Sequence, residues 1–188
     1  MAQLSRTRPI RLQSCFKADG GIGRQVAPLL RRLPPLTGRP ITLERSPGLR
    51  DGRGPVHAAA FLRERRIAID CTAAELPRIL AHELFHFVWL RAGNPARHAF
   101  ERLLRAELRA GVRGELGWSA EWRKCALTPD DIRSRSRRWR EYCCESFCDT
   151  AAWLYSGVSG HPEFTLPAAR RRRRRAWFAD LAGRGLSI

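Results

Sequence analysis

Lysine is nearly missing from this chain: Lys17 and Lys124 are the two lysines among 35 basic residues, so almost all of the positive charge is guanidinium. Against 18 acidic residues the balance is a formal net charge of +17. Such a field attracts nucleic acid, anionic lipid and acidic proteins in a salt-dependent way. A GC-rich coding sequence produces the same arginine bias whatever the function, and no RNA or DNA recognition motif accompanies it. Long apolar runs are also absent. No stretch is long enough to span a bilayer, and the cations of Met1 to Ile10 are not followed by the apolar region of a secretory leader. C-x-x-C pairs are lacking: Cys15, Cys71, Cys125, Cys143, Cys144 and Cys148 do not form a disulfide framework. The expectation is a reduced, cytoplasmic protein without a transmembrane segment. The G-K-[ST] ending of a phosphate loop is missing too, so Gly20-Gly21-Ile22-Gly23 marks a turn and nothing more.

What is present argues for one globular domain. The 188 residues are 44% hydrophobic, with six Trp and eight Phe spread along them, which excludes a disordered polymer. Residues 1–40 read as an Arg- and Pro-rich lead-in, with a short helix from Gly23 to Leu33 before Pro34, Pro35 and Pro40. Residues 41–93 carry strand-like runs at Ile41 to Glu44, Val56 to Leu62 and Ile67 to Asp70, the last two forming a hairpin that turns at Arg63 to Arg66. A helix follows, opened by Thr72 and Glu75 as a capping box with Pro77 in its first turn, and closed by Gly93 and Pro95. Residues 94–188 are mainly helical. Asn94-Pro95 opens a helix with an apolar stripe through Ala99, Phe100, Leu103, Leu104 and Leu108. Residues 112–127 are ambiguous. Thr128-Pro129 starts a long helical stretch to Tyr155 that allows a break on the way, and a last helix runs from Pro167 to about Leu181.

The chemistry centres on His82-Glu83-Leu84-Phe85-His86 in the middle of the helix before Gly93. Helical residues four apart share a face, so both imidazoles can turn a nitrogen to one zinc ion about 2 Å away. Glu83 points about 100° round the helix and reaches a water on that ion without binding the metal. A catalytic zinc needs a third protein ligand. The metzincin pattern would place Gly and His at positions held by Trp89 and Ala92, which closes that option. Glu145 in Glu145-Ser146-Phe147-Cys148-Asp149 is the better candidate.

With these two motifs the chain resembles the gluzincin, thermolysin-like branch of zinc metallopeptidases, in which H-E-x-x-H on one helix is completed by E-x-x-x-D on a later one. The resemblance spans about residues 56–155. It implies an α+β zincin-like fold, with a small N-terminal sheet packed on the His82 helix and a mainly helical C-terminal half. It implies Glu145 as third ligand and Asp149 as the carboxylate that orients a zinc-bound imidazole. It also implies peptide hydrolysis, with Glu83 taking a proton from the activated water and delivering one to the leaving amine. A Tyr or His would stabilise the oxyanion, for which His161 is the choice. The strand ahead of the helix would form the edge of a cleft for a peptide or protein substrate.

Other readings stay open at this stage. Glu141, Glu145 and Asp149 could pair with Arg137, Arg138 and Arg140 along their own helix, and Cys144 and Cys148 could ligate zinc or fill the core. The run Arg170 to Arg175 is either a solvated helix face or a grip on a polyanion. The alternative function is accordingly a nonenzymatic basic protein, nucleic-acid-associated or an interaction module, with a structural or vestigial zinc site. Sequence carries no signal for substrate identity or oligomeric state.

Overall fold

The computed structural model describes residues 10–12, 22–52 and 54–188; Cys15 and the Gly20-Gly21 part of the expected turn lie outside them. The chain forms β1 (Ile10–Leu12), α1 (Ile22–Arg32), β2 (Leu36–Thr37), β3 (Ile41–Arg45), β4 (Arg50–Asp51), β5 (Gly54–Pro55), β6 (Ala58–Phe61) and β7 (Arg66–Ile69). The helical half follows as α2 (Leu76–Arg91), α3 (Gly93–Arg109), α4 (Trp118–Cys125), α5 (Pro129–Ser134), α6 (Arg137–Tyr155) and α7 (Ala168–Gly183), ending in β8 (Leu186–Ser187). The architecture is α+β.

The main sheet has the order β1-β3-β7-β6. Strands β1, β3 and β7 are parallel, and β6 runs antiparallel to β7 at the edge. The hairpin joins β6 to β7 through residues 62–65, and Arg65 takes a left-handed conformation at φ 52°. Alternate residues of β3 point inward, so Ile41 and Leu43 are buried while their neighbours are partly exposed. Central β7 buries Ile67, Ala68 and Ile69 consecutively, as a strand covered on both faces must. The described part of the lead-in joins the core: β1 pairs with β3, the Val26 and Leu29 side chains of α1 are buried, and β2 pairs with β8 near the end of the chain.

Helix α2 lies at the centre and buries Leu80, Leu84, Phe85, Phe87 and Val88. Its closest partner is α6. An aromatic cluster ties the helices together. Phe147 of α6 lies 5.0 Å from Trp89 of α2, 5.6 Å from Phe100 of α3 and 4.8 Å from Phe178 of α7, between ring centroids. Such pairs add about 0.5–1.5 kcal/mol each beyond the area they bury. The α2 helix ends at Arg91, and Gly93, two residues on, takes the left-handed position expected of it at φ 70°.

The stretch from Thr128 contains the break that the sequence allowed: the Thr128 capping box starts α5, Arg135 at φ 52° closes it, and the Ser136 hydroxyl caps α6 through the Trp139 N–H. Arg135 is held there by a bidentate pair with Glu101, at 2.8 and 2.9 Å. The run Arg170 to Arg175 is not a uniformly solvated face. Arg174 is fully buried, reaching Glu107 and Glu115 at 2.7 Å each and the Ser146 hydroxyl at 2.9 Å. Arg171 donates to the Phe164 and Leu166 carbonyls. Arg172, Arg173 and Arg175 remain exposed.

Candidate metal centre

His82 and His86 occupy one face of α2, one turn apart, and their Nε2 atoms approach to 3.2 Å. Helix α6 crosses α2 so that Glu145 and Asp149, also one turn apart, meet the first imidazole from both sides. Asp149 Oδ1 lies 2.7 Å from His82 Nδ1, and Glu145 Oε2 lies 3.2 Å from His82 Nε2. The in-helix pairing with arginines is realised by Glu141, which meets Arg137 at 2.7 Å. Glu145 and Asp149 turn inward.

Both carboxylates are anchored by the segment whose structure the sequence left ambiguous. Asp149 Oδ2 accepts the Ala120 N–H at 2.9 Å, in the first turn of α4. Glu145 accepts the Ser119 hydroxyl at 2.5 Å and lies 3.5 Å from the Arg123 guanidinium. Gly117 is required by proximity: a β-carbon there would sit 2.2 Å from the Asp149 carboxyl carbon. Side chains have no room at that point, so the Asp149 carboxylate can lie directly on the backbone.

The two cysteines stand closer to the centre than ordinary core residues. Cys144 Sγ lies 3.4 Å from His86 Nδ1, so each imidazole has its own partner on the Nδ1 side. Cys148 is fully buried and offers a sulfur that lies, with one ring nitrogen each of His82 and His86, in a group spanning no more than 4.8 Å. This His–His–Cys cluster can hold a metal ion. Since the Nδ1 atoms face Asp149 and Cys144, the Nε2 atoms are the ones left to a metal, and Glu145 stands beside them. Zinc bonds of about 2.0–2.1 Å to N and O at tetrahedral angles put neighbouring donors about 3.3 Å apart. The two 3.2 Å separations match that spacing.

The electrostatics of the centre follow from these contacts. Burial disfavours a charged His82, but the Asp149 charge and hydrogen bond, with Glu145, raise its pKa well above the usual value. His86 is likewise opposed by burial and raised to about 9, chiefly by Cys144. Cys144 is pulled down to about 6 by the Cys148 hydrogen bond, against burial, with His86 assisting. Burial opposes ionisation of Glu145, yet the His82 hydrogen bond and the charges of His86, His82 and Arg123 hold it well below the carboxylate range. Protons thus occupy the places a cation would take.

Glu83 is half-buried, has no ion pair among the described residues, and lines a cleft of about 440 Å³ with His82 and Asp149. Residues 55–58, at the β6 edge, form another side of the cleft, joined by Arg78, Trp118 and Glu163. Trp118 is 66% exposed, unusual for so large an apolar side chain. His161 does not line this cleft. Its Nε2 lies 3.6 Å from Glu75, its Nδ1 accepts the Glu163 N–H, and its ring packs on Phe164. His57 is the histidine, besides His82, that faces the cleft.

Gly117, Ser119 and Arg123 escaped sequence reasoning. They belong to no motif, and their roles exist only because α4 packs against α6. No family model, curated protein or solved structure matches the chain.

Proposed function

We propose that the protein is a zinc-dependent peptidase of gluzincin type on a zincin-like fold, with His82, His86 and Glu145 as metal ligands and Glu83 as general base. The observation that carries the proposal is that His82 Nε2 has His86 Nε2 and Glu145 Oε2 each at 3.2 Å, a ligand spacing, beside Glu83, which has no ion pair among the described residues and lines an open cleft. Two imidazoles and a carboxylate are a donor set of catalytic zinc, which keeps a further position for water. Zinc bound there supplies Lewis acidity and brings the ionisation of water near neutral pH.

The remaining work falls to the chain. Asp149 accepts the His82 Nδ1–H, which fixes the tautomer that leaves Nε2 for the metal. Ser119 and Arg123 restrain Glu145. Glu83 takes a proton from water at the cleft floor and returns one to the departing amine, the carboxylate being regenerated at the end of the cycle. An extended peptide would lie along the β6 edge, whose unpaired backbone groups can accept a further strand. With His161 turned to Glu75 and the Arg78 guanidinium engaged by Glu75 and Glu163, His57 is the cleft side chain assigned to a developing oxyanion.

Elemental analysis of the native protein with its His86→Ala and Glu145→Ala variants tests the metal, and a peptide-library digest with Glu83→Gln tests the reaction. About one zinc per chain, sharply reduced in the first two variants, is expected, with hydrolysis lost but zinc retained in Glu83→Gln. A native protein that takes up no zinc would sink the reading. A zinc-loaded native protein that cleaves nothing would favour the interaction module with a vestigial site.

A further inference from the structure

Arg174 is buried among carboxylates and Arg171 is committed to backbone carbonyls, which leaves Arg172, Arg173 and Arg175 as the exposed charges of the arginine run. A second arginine cluster lines a concavity. At the N-terminal ends of β3 and β7, Arg11, Arg39, Arg63 and Arg65 line a concavity of about 290 Å³ together with Thr42 and Glu64. Glu64 is the one acid in that lining, and it is engaged by Arg66 at 2.7 and 2.9 Å. Among the described residues no carboxylate pairs with any of the four arginines.

Arg65 is the built element of the cluster. Its backbone sits in the left-handed region at φ 52°, which few non-glycine residues adopt. One Nη donates to the Arg39 carbonyl, the guanidinium lies 5.7 Å from the Phe87 ring centroid, and its Nε is buried without a hydrogen-bond partner. Burial, and after it the charges of Arg91 and Arg39, press its pKa down, so at least three guanidinium groups repel one another here. Like charges held together around a polar hollow, with a buried donor left over, are an arrangement that an anion would complete.

We propose that this concavity is a binding site for a phosphate-type oxyanion, in the form of a phosphate monoester. Guanidinium forks match the paired oxygens of a tetrahedral oxyanion, and Thr42 adds a hydroxyl beside them. A volume close to the lower limit of small-molecule sites, roughly 300 Å³, suits one phosphate group with a small organic body. The site is separate in sequence and in lining residues from the metal cleft, so it stands whether or not the protein hydrolyses peptides.

The test is calorimetric titration of the full chain with inorganic phosphate and with glycerol phosphate, at constant ionic strength. Chelator is present so that phosphate cannot bind at the metal centre. Arg39 and Arg63 are exposed, so the double variant Arg39→Gln, Arg63→Gln removes two charges without disturbing the core. Arg172→Gln with Arg173→Gln removes two exposed charges elsewhere. At about 1.5–3 kcal/mol for a hydrogen bond to a charged group, the first pair should weaken binding about tenfold or more, and the control pair much less. Equal weakening in both pairs, or affinity for phosphate no greater than for chloride, would reduce the cluster to part of a general field and overturn the site. Vesicles carrying phosphatidic acid in phosphatidylcholine identify the source. Binding that requires the vesicle assigns a lipid headgroup and binding of glycerol phosphate assigns a soluble ligand, in each case only if Arg39→Gln, Arg63→Gln abolishes it; retention in that variant overturns the proposal.

Discussion

At His82 and His86 a proton and the proposed metal would compete for the same atoms, which would give the centre opposite pH behaviour with and without that metal. His86 is raised in the fold from 6.5 to about 9. Its charged form therefore stabilises that fold fully below about pH 6.5, and the contribution is lost as pH rises through about 9. His82 shifts the same way. Glu145 is shifted down, so its contribution is present above its ordinary value of 4.5 and disappears as pH falls toward its depressed value. Metal ligation needs neutral imidazoles and gains as pH rises. Cys144, lowered from 9.0 to about 6, works the other way over this range and offsets His86, so the net trend is that of His82; thermal melts from pH 6 to pH 9 should show the chelated protein losing stability while the zinc-loaded protein holds or gains. Parallel curves with and without zinc would show that these histidines are not the metal's ligands.

Helix α6 illustrates how one element serves two sites. Glu145 and Asp149 face α2 and the metal centre, whereas Tyr142, Ser146 and Thr150 face the buried Arg174 network. The short helix α4 closes the first of these faces, through Gly117, Ser119, Ala120 and Arg123. Gly117→Ala places a methyl group into the Asp149 carboxylate, and overpacking of this kind costs about 1–3 kcal/mol. Because Asp149 holds His82, the expected signature goes beyond stability: zinc affinity measured by chelator competition should drop about tenfold or more. Unchanged affinity in a folded Gly117→Ala protein would mean that α4 does not support the centre.

At the scale of the whole molecule, the helical half is bound together by charges as well as by aromatic rings. Arg174 of α7, Glu107 of α3, Glu115 and the Tyr142 hydroxyl of α6 form one buried network, with Tyr142 donating to Glu115 at 2.6 Å. The Arg174 and Glu115 charges sustain each other: burial disfavours both, and their mutual attraction keeps both ionised. Arg174→Met leaves Glu107 buried without its counter-ion and Glu115 with Lys124 alone, at 3.4 Å, and should destabilise by about 3–5 kcal/mol, a large share of the 5–15 kcal/mol typical of a domain. Denaturant melts check this, and a triple variant adding Glu107→Leu and Glu115→Leu should recover part of the loss. If Arg172→Met, on the exposed side of the same helix, is equally damaging, the network is not the cause.

Periodicity and end signals made most of the elements legible. The three strand runs, the His82 helix ending before Gly93, the Thr128 cap and the last helix all depend on neighbours a few residues apart, which a sequence displays directly. The pairing of His82 with His86 belongs to the same class, since a helix repeats every 3.6 residues. By contrast, the inclusion of β1 and α1 in the core, the burial of Arg174 and the turning of His161 toward Glu75 depend on contacts between distant segments. Arg174 shows the difference most clearly: six consecutive arginines look equivalent along the chain, and only the packing of α7 on α3 and α6 selects one of them for the interior. Sequence alone determined which residues could share a helix face and carry metal chemistry. The tertiary structure decided which of those faces meet, because that choice rests on side-chain packing between elements, and no local pattern encodes it.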